Sequence, residues 1–168
     1  MDKDITKDTT KLLSVFPAFP TVLISSEENI ITVTLIHIFS FKPYLIGIGI
    51  KPERYSHGLI KESKEFVVNI PTNEILPAVI FCGTKSGRDY DKFKETGLTK
   101  ERSLEVRCAS IKECPVNLEC AVVEELPVGD RTWFVGEVLE GRIAPNYNPE
   151  KMLLYWRGVY RLVGEPLK

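Results

Sequence analysis

Histidine is almost missing from this chain. His37 and His57 are the only two, so a three-His metal site is excluded and a His-assisted nucleophile has little to draw on. His37 falls inside an apolar, β-forming run, where an imidazole bonded to its surroundings is the simpler reading. Cysteine is sparse too. Cys108, Cys114 and Cys120 recur every six residues and Cys82 stands apart; that spacing fits neither a CxxC knuckle nor a Cys/His zinc site, so no metal is expected. A chain of 168 residues, 43% of them hydrophobic, buries a core without disulfide staples, and reduced thiols are expected.

Nor is there an excess of charge. Lys and Arg total 22 against 23 Asp and Glu, which leaves no electrostatic footprint for nucleic acid. No apolar run approaches the roughly 20 residues of a membrane helix; Tyr44 to Ile50, among the longest, is bracketed by Lys42 and Lys51. The stretch MDKDITKDTTK alternates in sign and lacks the apolar core of a secretory signal. A cytoplasmic location is therefore expected, with neither membrane nor nucleic acid among the partners. Two nucleotide motifs are missing as well. Gly47 and Gly49 begin a GxG, but Pro52 stands where a dinucleotide fingerprint has its third glycine, and GTKSG from Gly83 lacks P-loop spacing.

What is present reads as mainly β. Residues 1–11 form a polar tail and 12–168 one domain. Enrichment in β-branched and aromatic residues predicts strands at Thr21–Ser26, Ile30–Phe39, Tyr44–Ile50, Glu65–Ile70, Leu118–Leu126, Thr132–Arg142 and Val159–Val163. PVGDR from Pro127 supplies the turn of a hairpin. Short helices are predicted from Ser56, as N-cap, to Ser63; from Thr72 or Asn73 to Cys82, with Pro77 in the first turn; and from Asp89 to Thr96, closed by Gly97. Because strands and helices do not alternate, a closed antiparallel β-barrel with short α-helical inserts fits better than a doubly wound sheet.

Three features could carry chemistry. Gly47 and Gly49 lie two apart in a strand, so they share a face stripped of side chains; either a ligand approaches there or the strand is tightly packed. Lys51 to His57, KPERYSH, brings two cations and a hydroxyl to a helix start, where free N–H groups favour an anion. Thr84 to Lys92, TKSGRDYDK, places Thr84, Lys85, Ser86, Arg88 and Lys92 around Gly87, again before a helix. Each loop alone is compatible with ordinary capping. Together, beside a glycine strand, they point to a ligand with a flat part and a phosphate.

These stretches resemble the flavin reductase-like, FMN-binding split-barrel family, of the flavoredoxin and archaeal ferric-reductase type. The matching segments are PTVLIS from Pro20, the Asn29 turn, SFKPYLIGIGIKPERYSHGLIKESKEFVVNIP from Ser40, CGTKSGRDYDKFKETGLT from Cys82, ECPVNLEC from Glu113 and FVGEV from Phe134. The order RYSH then SGRDYDKF is the more specific part. Leu35, Ile36 and His37 depart from the pattern, since many relatives carry an aromatic residue there.

The resemblance implies a split barrel that dimerises, with FMN held non-covalently near the subunit interface. It places Arg54, Ser56, Thr84, Ser86, Gly87 and Lys92 at the phosphate, with Lys51 as an added cation. Thr32, Val33, Thr34, Ile48 and Gly49 then lie along the ring and ribityl chain, and His57 on the nicotinamide side. The implied activity is NAD(P)H-dependent flavin or ferric reduction through FMN, with NADH or NADPH as a partner. A non-catalytic FMN electron carrier or storage protein is the alternative, and no catalytic side chain is assigned.

Overall fold

The computed structural model describes residues 5–166. In chain order the strands are β1 (Phe19–Pro20), β2 (Val22–Ser26), β3 (Asn29–Val33), β4 (Ile36–Phe41), β5 (Tyr44–Ile50) and β6 (Glu65–Ile70). They continue with β7 (Lys100–Glu101), β8 (Ser110–Ile111), β9 (Val116–Val128), β10 (Arg131–Ile143), β11 (Leu153–Trp156) and β12 (Val159–Leu162). The helices are α1 (Thr9–Ser14), α2 (Tyr55–Ser63), α3 (Leu76–Thr84) and α4 (Lys92–Thr96). Helix α1 begins inside the stretch expected as a polar tail, its first turn capped by the Asp8 carboxylate; residues 1–4 of that stretch lie outside the described residues.

Seven strands form one antiparallel sheet in the order β3-β2-β6-β9-β10-β5-β4. Its two outermost strands, β3 and β4, are joined by Thr34 and Leu35 alone. Two edges tied by so short a link are drawn together, and the sheet rolls into a split antiparallel β-barrel. The run expected as a single strand, Ile30–Phe39, is therefore two: β3 pairs with β2, while β4 pairs with β5. Leu35 still follows β5, its carbonyl accepting from Gly49 N at 2.9 Å, so the parting falls at Thr34. β-Forming residues continue across the break, which hides it from composition. The expected hairpin forms as β9 and β10, turning at Gly129 in the left-handed region (φ 61°) and Asp130.

Strand β2 is buried on both faces because two cores meet it. Val22 and Ile24 point into the barrel with Ile48, Phe66 and Phe134. Leu23 points outward, under α3 and α4, with Ile30, Val79 and Phe93. This is strand alternation applied to a doubly covered strand. Full burial of each such side chain is worth about 1.5–3 kcal/mol, which presses α3 and α4 onto the barrel wall.

Two helix starts differ from expectation. Helix α2 begins at Tyr55 with Arg54 in the cap position and no side-chain cap bond, so Ser56 lies inside the first turn. Helix α4 is shorter than expected: Asp91, not Asp89, accepts from Lys94 N at 3.2 Å. The segment from Ser86 to Tyr90 thereby remains a loop, closed by Ser86 accepting from the amides of Asp89 and Tyr90.

Candidate functional site

The loops that precede α2 and α4 meet. Arg88 Nη1 donates to Glu53 O at 3.2 Å, and its guanidinium sits 5.3 Å from the centre of the Tyr55 ring. Between the loops is a cavity of about 180 Å3 that Arg54, Ser56, Lys85, Ser86, Gly87 and Lys92 all line. A second cavity, about 120 Å3, runs beside it along the split between β3 and β5, where Thr32, Val33, Thr34, Gly49 and Lys51 are lining residues. Arg54 lines both. Among the described residues its guanidinium has neither a carboxylate partner nor a hydrogen bond, so its charge is free to meet a ligand.

The first cavity is built for negative charge. Arg54, Tyr55 and Ser56 at the start of α2 line it, and that start has no side-chain cap; a helix end concentrates unpaired N–H groups and positive potential. Asn29, at the start of β3, is 4% exposed; Nδ2 donates to Ser56 Oγ at 2.7 Å, while Oδ1 has no partner. Lys92 is different. It is buried, and its ammonium donates to Ile30 O at 2.7 Å and Cys82 O at 2.9 Å. Burial, with Arg54 close by, lowers its pKa from the ordinary lysine value. Two of its three protons thus stitch β3 to the end of α3, so the ammonium expected at the phosphate also serves as a structural tie and lines the cavity with one proton left over.

Other expected residues are placed elsewhere. Ile48 is fully buried in the barrel core and lines neither cavity. Thr84 Oγ1 donates back to Ile80 O at 2.9 Å and finishes α3 instead of facing the cavity. Thr32 does line the β3–β5 groove, but its hydroxyl donates to Val79 O at 2.6 Å and holds α3 against the wall. Lys51 faces the groove rather than the loop cavity, paired with Asp130 at 3.1 Å and Glu53 at 3.9 Å. The glycine face is not open: an added Cβ on Gly47 would strike the Phe39 ring, and one on Gly49 would lie 3.3 Å from Trp133 and Leu35. Phe39 and Trp133, 5.6 Å apart at their centroids, cover Gly47 and crowd Gly49, so of the two readings the structure shows tight packing at Gly47, while Gly49 also lines the groove.

His57 also lies away from both cavities. Its Nε2 is 2.9 Å from Thr132 Oγ1 and its ring is edge-on to Phe134. Burial, then nearby Lys61, lowers its pKa from 6.5. The folded chain therefore holds this proton less tightly than the unfolded chain, and stability is expected to fall as pH drops below about 6.5. His57→Gln should flatten that arm of a Tm-versus-pH curve; superimposable curves would remove the assignment.

Several lining residues went unassigned from sequence, among them Asn29, Tyr55, Gly83 and Arg131. Asn29 at a turn and Gly83 beside the cationic loop carry a faint local signal. Arg131 reaches the groove only because β10 pairs with β5. All four thiols are buried and unpaired, and burial disfavours the thiolate: it raises Cys82 to about 11 and Cys108 to about 12, and pushes Cys114 and Cys120 higher still.

Fold and site together define a class: a split β-barrel with a cation-lined cavity at a helix N-terminus, continued by a groove along the split. Residues 13–164 match the flavin reductase like domain, and the chain belongs to that family. An uncharacterised protein of Archaeoglobus fulgidus is 44% identical over 127 residues, covering 74% of this chain and 72% of that one. Flavoredoxin from Methanosarcina acetivorans superposes with a TM-score of 0.87 at 26% identity, over 100% of this chain and 94% of that chain. An FMN-binding protein from Thermus thermophilus has the same fold, with a TM-score of 0.89 at 19% identity over 100% of this chain and 99% of its own. No described helix is long and apolar enough to cross a membrane.

Proposed function

We propose that this protein is an FMN-dependent oxidoreductase that takes reducing equivalents from NADH or NADPH and delivers them to free flavin or ferric iron. The observation that carries the reading is Arg54, an unpaired cation shared by a phosphate-sized cavity and the groove that continues from it. The names of a flavoredoxin and an FMN-binding protein among the structural neighbours support it.

The residues fit the phosphate end of FMN. Arg54, Lys85 and Arg88 supply charge, the α2 amides and Ser86 supply hydrogen bonds, and Lys92 holds the floor in place. A half-turn of the Asn29 amide would let Ser56 Oγ donate to its oxygen and free Nδ2 for a phosphate oxygen. That rotation resolves the one unpartnered atom of the side chain. Thr34, Gly49 and the β3 backbone then flank the ribityl chain, with Arg131 and Lys51 at the far side. Bound FMN supplies the hydride and electron chemistry itself; the protein's part is to hold, orient and shield. We assign no catalytic side chain.

A homodimer is part of the proposal. Ile38, Phe39, Phe41 and Tyr44 are exposed large hydrophobic residues clustered on β4 and β5, and a second copy covering them would enclose the groove end nearest Trp133. A single domain from residue 12 onward and a cytoplasmic location complete the reading.

The test is a visible spectrum of the purified protein after FMN addition, then anaerobic NADH and NADPH in a stopped-flow instrument. Flavin absorbance that bleaches on mixing is expected. A flavin that binds but stays oxidised with both nucleotides would overturn the reductase and leave an FMN electron carrier.

A further inference from the structure

The cation-lined cavity has a larger neighbour of about 840 Å3. Asn29, Tyr55, Gly87 and Arg88 line both spaces, so these four residues are the wall between them. The wall is closed by contact. A Cβ on Gly87 would run into Asn29 Oδ1 and the Tyr55 ring, and Arg88 is held across the gap by the Tyr55 face and the Glu53 carbonyl. The two sides differ in sign. Arg54, Lys85 and Lys92 stand on one beside a single carboxylate, Glu53, whereas the lining of the other includes the carboxylates of Glu27, Glu28, Glu62, Asp89 and Asp91, of which Glu28 is paired with Lys100. Arg107, a cation on that far side, is already paired with Glu65.

We propose that this wall makes the site selective for a flavin ending in a monophosphate, with Arg88 as the specificity-determining residue, so that FMN is taken and FAD refused. The inference rests on the flavin reading above and sharpens it. A terminal phosphate ends inside the smaller cavity. A diphosphate bridge that leaves toward the larger cavity has to lift Arg88 off Tyr55 and carry its second phosphate among carboxylates, and like charges forced together discriminate strongly against the wrong ligand. Selectivity then comes from a blocked exit as well as from contacts to FMN.

Full-length protein equilibrated with an equimolar excess of FMN and FAD, separated from free flavin and analysed for what it retains, tests this directly. Wild-type protein is expected to hold FMN over FAD by on the order of 100-fold. Arg88→Ala should cut that ratio by about tenfold or more, and Glu62→Gln by roughly two- to threefold, since it removes one charge from the far side. A wild-type ratio near unity overturns the proposal, whether or not the variants fold. An Arg88→Ala ratio equal to wild type overturns the role of Arg88. Retention of neither flavin refutes the flavin reading itself, an outcome distinct from loss of selectivity.

Discussion

Arg54→Ala is expected to weaken FMN binding by about 1.5–3 kcal/mol, roughly 10- to 150-fold, the range for a hydrogen bond to a charged group. The melting temperature should not move, because the Arg54 side chain is exposed and makes no ion pair or hydrogen bond among the described residues. The combination matters. Most cations that line a cavity also hold loops together, and their removal confuses binding with folding. Arg54 separates the two, and a titration of wild-type and variant protein at matched ionic strength reads the difference. Unchanged affinity would take the phosphate away from the junction of the two cavities.

Lys92→Met is expected to behave in the opposite way. The change keeps much of the volume but removes the donors to Ile30 O and Cys82 O, leaving two buried carbonyls without partners. Net hydrogen bonds to a charged group and the cost of orphaned acceptors put the loss of stability at about 2–3 kcal/mol. Flavin affinity should fall with it, because α3 and the loop after it are no longer tied to β3. Chemical denaturation followed by FMN titration under native conditions separates the two effects. A variant of wild-type stability with weakened FMN binding would show Lys92 acting on the phosphate directly and not as a tie between β3 and α3.

The pair shows how far the residues alone can be read. Both side chains belong to stretches, KPERYSH and TKSGRDYDK, whose composition announces an anion site, and both are expected at the phosphate from sequence. Nothing local distinguishes an arginine left exposed at a helix cap from a lysine drawn under a helix. Thr84 fails similarly, since a threonine at a helix end has its own backbone to bond. Ile48 is another matter. Its position between Gly47 and Gly49 assigns it, by strand alternation, to the face opposite theirs, and the structure buries it in the barrel. That signal was present in the chain.

The glycines themselves were ambiguous, and the ambiguity was resolved from a distance. Phe39 arrives from β4 and Trp133 from β10 to cover Gly47 and Gly49. The aromatic surface absent at Leu35 to His37 is thus provided by residues remote in the chain from those positions or displaced along the strand.

Sequence by itself determined what depends on a few neighbouring residues: the antiparallel strands, the β9–β10 turn, the proline inside the first turn of α3 and the two cationic loops. Only the tertiary structure decided which of those cations remain available. Asn29 to Ser56 spans 27 positions, Arg88 to Glu53 spans 35 and Lys92 to Ile30 spans 62. A charge is free or spent according to whether a buried partner reaches it, and partners at such separations are brought together by packing of the whole barrel, which no local pattern encodes.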